Sequence, residues 1–502
     1  MKKNLLLHPF LIAIYPVFYL YSENMRQLSV SVVVVPMAIL SVLALILLVV
    51  GSRLFRNSHK AAFSVSVFLV WLFSYSAVRS MMTFEIAGLQ LYRHRYFILI
   101  WTLVLVVAVL LVVKAHLDFA RVTKALNSFA VLLMLLPLWT ILTYRNNHGT
   151  PARPQPSLEK KEVARLTTRN DSLPSVYYII LDAYTGQKGL KKHLGFDNSA
   201  FVQFLRSKGF FVAEESHSNY AWTSLSLASS LNMNYLPAIP TDGGSDTLEV
   251  DKAISEFDLI LDSKVRVFLQ SLGYEFVDLS IWSTRAFVSP KDYAYQYFTA
   301  EFSLSLLRMT FLNRPLVENY VLGRIKRERA VRRFDELRRT VNLPGPLFVY
   351  AHLLIPHHPY VFDSTGNMPP PHQSIAELGS EKEMYLSQLL YANKEMEKTV
   401  DVILSKSKIP PIVVIQGDHG AYQLAGSQAG NARLRMSILN AYYVPDKARS
   451  LLYDTVTPVN TFRIIFDGSF GTHFGLLQDK SFFSTMENYR RLIHIRPQLR
   501  EQ

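Results

Sequence analysis

Three apolar stretches of this chain end in side chains that ligate metals or move protons. Val176–Leu181 runs into Asp182. Leu347–Ala351 runs into His352, with His357 and His358 close behind. Ile412–Ile415 passes through Gln416 and Gly417 into Asp418-His419-Gly420. In open α/β sheets, ligands bind beyond the carboxyl ends of strands. Three such ends brought together would gather two carboxylates and several imidazoles into one small volume, where like charges repel unless a cation sits among them. Oxygen and imidazole ligands suit Zn²⁺ or Mn²⁺, and carboxylates alone suit Mg²⁺. Singly, each residue has a plainer explanation, as a helix-capping acid or a histidine satisfied in the core.

A fourth piece is the stretch SNYAWTSLSLASSLNMNYL, residues 218–236. From Thr223 onward its apolar residues, Leu225, Leu227, Ala228 and Leu231, follow a helical period, with Thr223 or Ser224 at the N-cap. Threonine and serine are favoured caps. A helix N-terminus is also an anion site, with free N–H groups and the positive end of the dipole. A hydroxyl placed there beside a divalent cation loses its proton more easily and becomes a nucleophile.

These residues need elements to carry them. From about residue 174 to 502 the pattern alternates strands (176–181, the FFVAEE and YEFVDL stretches, 347–351, 412–415) with helices (199–208, 264–272, 383–405). That spacing predicts an α/β sheet with helices on both faces. Before it lies a polar, proline-containing linker, 146–173, with Pro151, Pro154 and Pro156. Protease is expected to release a folded fragment there. Residues 323–339 carry eight Lys or Arg against three acids, a solvated helix face or a contact for anionic groups.

The first 145 residues are of another kind. Charge-free apolar runs at 28–50, 61–78, 96–113 and 125–144 are long enough to cross, or nearly cross, a bilayer core. The run at 5–21 is similar, though His8, Pro9 and Pro16 interrupt it, and it lacks a signal-peptide cleavage site. The reading is five transmembrane helices. Lys2, Lys3, Arg53, Arg56, Lys60, Lys114, Arg121 and Lys124 fall on one side, against Arg26, Arg79, Arg93 and Arg95 on the other. The positive-inside rule then places the N-terminus in the cytoplasm and everything after Tyr144 outside. The chain has no cysteine, which excludes disulfides, a Cys nucleophile and Cys metal ligands. Its net charge of +14 beside a membrane favours phospholipid headgroups over nucleic acid as the anionic partner.

Asp182 after a strand, Thr223 opening a helix, and Gly417-Asp418-His419-Gly420 after a late strand resemble the alkaline phosphatase/sulfatase superfamily. The five-helix anchor resembles its membrane-bound transferases, the lipoteichoic acid synthases and lipid A phosphoethanolamine transferases. The resemblance implies that Asp182, Thr223, Asp418 and His419 hold one divalent metal (Zn, Mn or Mg) and that Thr223 is the catalytic nucleophile. A histidine after the middle strand would bind the transferred phosphate. His352, His357 and His358 compete for that role, with His357 or His358 favoured. The lipid A transferases carry a further histidine some dozen residues after Asp-His-Gly. Here Arg433 and Arg435 stand in that region as candidate substrate contacts that supply positive charge instead, and His473 is a distant alternative. The middle strand lacks the Asp of the two-metal phosphatases. The stretch TSLSLASS lacks the Pro and Arg that formylglycine formation in sulfatases requires.

The implied activity moves a phosphoalcohol headgroup, phosphoethanolamine or phosphoglycerol, from a membrane phospholipid to a glycan or lipid acceptor through a phosphothreonine. The alternatives are a hydrolase on the same site and a metal-free regulatory lipid-binding homologue. The implied location is a multi-pass inner (plasma) membrane with the catalytic domain on the periplasmic side.

Overall fold

A computed structural model describes residues 5–25, 30–82, 85–86, 89–90, 93–147, 173–241, 244–251, 254–280, 301–312, 323–367 and 379–495. The expected linker, 146–173, lies outside these residues except at its ends. The chain divides into two compact units, Met1–Pro151 with Val288–Leu322, and Ala152–Phe287 with Gly323–Gln502. The sequence reading ran the C-terminal domain unbroken from 174 to 502; the structure instead assigns Val288–Leu322 to the helical unit.

The first unit contains α1 (His8–Asn24), α2 (Val34–Phe55), α3 (Ser58–Met81), α4 (His94–Lys114) and α5 (Phe119–Asn147), with a small hairpin of β1 (Glu85–Ile86) and β2 (Leu89–Gln90). Among the described residues, four helices are long and apolar enough to cross a membrane: α2, α3, α4 and the Phe119–Thr143 part of α5. α1 is a helix of 17 residues with Pro16 inside it. α2 starts later than the apolar run suggested, because Val30–Val33 form a 3₁₀ turn ahead of it. Asn57 caps α3, its side chain accepting from the His59 and Lys60 N–H groups.

The second unit is built on a six-stranded sheet. Its strands are β3 (Val176–Leu181), β4 (Phe211–Val212), β7 (Glu275–Leu279), β8 (Leu347–Leu353), β9 (Ile412–Gln416) and β10 (Asn440–Tyr443), in the order β4-β10-β9-β3-β8-β7. β9, β3, β8 and β7 run parallel, and β10 is antiparallel to both its neighbours. A smaller antiparallel sheet joins β5 (Ala238–Thr241), β6 (Gly244–Val250), β11 (Ser481–Phe483) and β12 (Arg491–Ile495).

β3 is buried along its whole length, as the middle strand of a parallel sheet covered on both faces should be. Tyr177, Ile179 and Leu181 point into one core and Val176, Tyr178 and Ile180 into the other. The first core is covered by α6 (Gln187–Leu194), α7 (Ser199–Ser207), α11 (Gly323–Arg339), α12 (Glu381–Lys406) and α13 (Gln428–Met436). The second is covered by α8 (Thr223–Asn232), α9 (Glu256–Leu261), α10 (Lys264–Ser271) and α14 (Pro458–Phe470). The expected sheet with helices on both faces is present. On α11 the basic residues are partly occupied: Arg324 pairs with Glu328, Arg333 with Glu336, and Arg338 with Asp335 and Glu395.

Candidate active site

Strand register explains why Asp182 and Asp418 meet. Ile180 of β3 pairs with Gln416 of β9, so the residues two positions further on, Asp182 and Asp418, leave adjacent strands at the same height. β3 ends abruptly. Ala183 adopts φ 63°, a left-handed conformation that costs an alanine about 1–2 kcal/mol. The turn aims the Ala183 N–H at Asp418 Oδ1, 3.1 Å away. Backbone strain held by its surroundings is common at functional sites.

The Asp-His pair sits between two glycines because the backbone is crowded there. A Cβ on Gly417 would lie 2.5 Å from the Tyr184 carbonyl oxygen, and one on Gly420 would lie 2.1 Å from that of Leu434.

His419 is oriented by its neighbour. Its Nδ1 lies 3.0 Å from the Gly420 carbonyl, which only accepts, so Nδ1 carries the proton. Nε2 then offers a lone pair to the site. It lies 3.3 Å from Asp418 Oδ2, 3.7 Å from Asp182 Oδ1 and 3.0 Å from Thr223 Oγ1. The threonine hydroxyl is the donor in that last contact. Trp222 rather than Thr223 or Ser224 is the N-cap of α8, and Thr223 is its first helical residue. The Ser226 hydroxyl donates to the Asp418 carbonyl at 2.7 Å and pins the first turn of α8 against the strand end.

The electrostatics are those of a site short of positive charge. Asp182, Asp418 and His419 are all buried. Asp182 Oδ1 and Asp418 Oδ2 have no hydrogen-bond partner among the described residues. Burial, reinforced by the charge of Asp182, pushes the Asp418 carboxyl up to about 6. Burial also pushes Asp182 upward, but His357 and His352 outweigh it and hold that carboxyl well below the usual range. Burial, followed by the positive charge of Arg435, keeps His419 neutral. Two inward carboxylate oxygens and one imidazole lone pair thus converge, with ligand atoms within 4.8 Å of one another. This donor set fits a divalent cation, which would satisfy the orphaned oxygens and relieve their repulsion.

The remaining candidates separate clearly. His352 does not project from the strand end, because β8 continues to Leu353. It is fully buried, and its Nε2 lies 3.1 Å from Asp182 Oδ2, so it holds the acid from behind. Partners of this kind orient metal ligands. Substituting His352 by alanine should lower divalent-metal affinity about 10–100-fold. Chelator competition on the full chain measures this, and an unchanged affinity would refute the orienting role.

His357 is half-buried, and its charge reaches both Asp182 and His419. His358 is exposed and packs edge-on against Tyr360, and the charges acting on it belong to His357, Lys326 and Glu381. Of the two, only His357 acts electrostatically on Asp182 and His419. The charge of Arg433 acts on His193 of α6. His473 is exposed in the loop after α14, and Phe470 before it packs on Tyr274, the residue preceding β7, on the strands' opposite end.

Arg435 is buried. Its Nε donates to the Ala221 carbonyl at 2.7 Å and another guanidinium nitrogen to the Gly420 carbonyl at 3.2 Å. It joins the residue before the Trp222 cap to the loop that carries His419. Trp222 and Tyr422 cover the guanidinium, with ring centroids 4.8 Å and 5.3 Å away. Arg435 appeared in the sequence only as a candidate substrate contact. Its clamping role, and the parts of Ala183, Trp222 and Tyr422, carried no sequence signal beyond their nearness to the motifs.

No protein-family model matches the chain, and neither does any curated protein. Among solved structures it is similar to the C-terminal periplasmic domain of EptC from Escherichia coli in complex with Zn, at 12% identity over 64% of this chain and 92% of that one, with a TM-score of 0.41. It is similar to the integral membrane lipooligosaccharide phosphoethanolamine transferase A from Neisseria meningitidis, at 14% identity over 93% and 95% of the two chains, with a TM-score of 0.36. A putative sulfatase from Bacteroides fragilis matches at 12% identity over 63% and 82%, with a TM-score of 0.34. At TM-scores below 0.5 these likenesses add no weight to the site, which stands on its geometry.

Proposed function

We propose that this chain is a membrane-bound, metal-dependent phosphotransferase of the sulfatase-like kind. It would move a phosphoalcohol headgroup from a phospholipid to a glycan or lipid hydroxyl. The observation that carries the reading is the convergence of Asp182, Asp418 and His419 ligand atoms with Thr223 Oγ1 3.0 Å from His419 Nε2. Asp182, Thr223, Asp418 and His419 would hold the cation. When bound, a divalent ion there supplies a Lewis acid that offsets phosphoryl charge and makes a nearby hydroxyl more acidic.

The chain's own groups do the rest. Thr223 Oγ1 gives up its proton and attacks phosphorus, the bond to diacylglycerol breaks, and the diacylglycerol oxygen leaves with the electron pair and takes up a proton in its place. An acceptor hydroxyl then gives up its proton and attacks the phosphothreonine, the bond to Thr223 breaks, and the freed Thr223 oxygen takes up a proton. The Trp222 side chain makes no capping bond, so the first-turn N–H groups of α8 can receive a phosphoryl oxygen. His357 would contact the transferred phosphate, a reading supported by its electrostatic action on Asp182 and His419. Arg435 keeps α8 and the His419 loop at fixed spacing and adds positive potential. Headgroup-labelled phospholipid tests the reading: diacylglycerol release with label trapped on Thr223 is expected. Release without any covalent intermediate would refute it, and label passing only to water would make the enzyme a hydrolase.

The reading extends to the membrane. α1 would be a fifth crossing beside the four long apolar helices, residues 146–173 a juxtamembrane linker, and the domain from 174 periplasmic. A reporter fused after Asn146 should be active only outside the cytoplasm. Cytoplasmic activity would overturn the orientation and the odd number of crossings together.

A further inference from the structure

Residues 301–312 leave the second unit's stretch of sequence, between β7 and α11, and pack in the helical unit. The helix Glu301–Arg308 buries Phe302 and Leu306 in one cluster with Val17 and Tyr21 of α1 and Val32 and Val33 ahead of α2. Ile141 of α5 and Met309 pack against the same cluster. Phe311 packs its ring tilted against Trp71, centroids 5.4 Å apart, and edge-on to Tyr75 at 6.4 Å, both on α3.

The polar contacts are as specific as the apolar ones. A helix leaves its last carbonyls without intrahelical partners, and in an apolar surrounding each must be satisfied. Ser76, inside α3, meets two of them. Its N–H donates to the Met309 carbonyl at 3.2 Å, and its hydroxyl donates to the Arg308 carbonyl. Thr310 is buried as well, its hydroxyl donating to the Leu307 carbonyl at 2.7 Å.

All the receiving residues lie toward one end of the bundle. Tyr21, Ser76 and Ile141 belong to the C-terminal halves of α1, α3 and α5, and Val32 and Val33 directly precede α2. That is the end from which the chain leaves α5 toward the second unit. It is also the end a chain returning from that unit reaches without crossing the membrane.

We infer that residues 301–312 are a second anchor, a re-entrant loop whose docking surface is the outward end of the chain's own helical bundle. It holds the C-terminal unit at the membrane independently of the 146–173 linker. The sequence reading expected cleavage of that linker to free a folded domain; with this anchor, a single cut leaves the domain bound. The inference does not depend on the reaction proposed above.

The test uses the full chain in proteoliposomes, with a specific protease site placed within 155–165. After cleavage and a high-salt wash, which removes purely electrostatic adhesion, the C-terminal fragment should sediment with the vesicles. Combining Phe302→Asp with Leu306→Asp should release it. Release of the unsubstituted fragment would overturn the anchor, and so would retention of the doubly substituted one. A second measurement does not rely on that variant folding. The chain has no cysteine, so Ser76→Cys with Met309→Cys introduces a lone pair. A short bis-maleimide should join the two cleaved halves into one band of full mass. Absence of that band, in a chain carrying both cysteines, would also overturn the proposal.

Discussion

A chain carrying Asp418→Ala should bind no divalent metal and show turnover reduced by about a thousand-fold or more, the scale of losing a principal charge-stabilising group. Asp418 is placed for this effect by its buried position beside Asp182, and its Oδ2 has no hydrogen-bond partner among the described residues. Alanine removes one of the two carboxylates and leaves Asp182 Oδ1 and His419 Nε2 as the inward donors among the three clustered residues. Alanine also removes the acceptor for the strained Ala183 N–H. Metal analysis of the purified full chain, read beside phospholipid turnover, checks the result. Stoichiometric metal with wild-type turnover would refute the site. A wild-type protein with no bound metal and no metal-dependent activity would instead favour a regulatory lipid-binding role.

Thr223→Ala should act differently. The fold and most metal binding should survive, because two carboxylates and His419 Nε2 remain, while headgroup transfer falls by about 10⁴-fold or more, as when a nucleophile is deleted. Thr223 is half-buried at the first position of α8, and Ala is well tolerated in a helix. The separation of the two readouts is the content of the prediction: metal content near wild type, diacylglycerol release lost, and no covalent label on the protein. Diacylglycerol release at the wild-type rate would remove Thr223 from the role and make Ser224 the next candidate.

Much of this protein was legible along the chain because the signals are local. Apolar runs long enough to cross a bilayer mark α2 to α5, since only a helix satisfies its own backbone in lipid. Alternation of strand and helix marks the sheet, and Asp182, Thr223, Asp418 and His419 all stand at element boundaries, where side chains can reach a common site. Their chemical types predicted what such a meeting could do.

What the sequence left undecided depends on contacts between residues far apart in it. The pairing of Ile180 with Gln416 sets Asp182 level with Asp418, and one step of register would turn one acid away. The extra two residues of β8 keep His352 inside the strand, where it is buried against Asp182. Arg435 reads as a candidate substrate contact until packing places it under Trp222 and Tyr422. Residues 301–312 read as one more element of the C-terminal domain. Only their packing on Tyr21, Val33 and Ser76, more than two hundred residues earlier, makes them part of the helical unit. The apolar pattern shows that such a helix must be buried; which surface buries it is decided by shape and by the carbonyls that Ser76 satisfies.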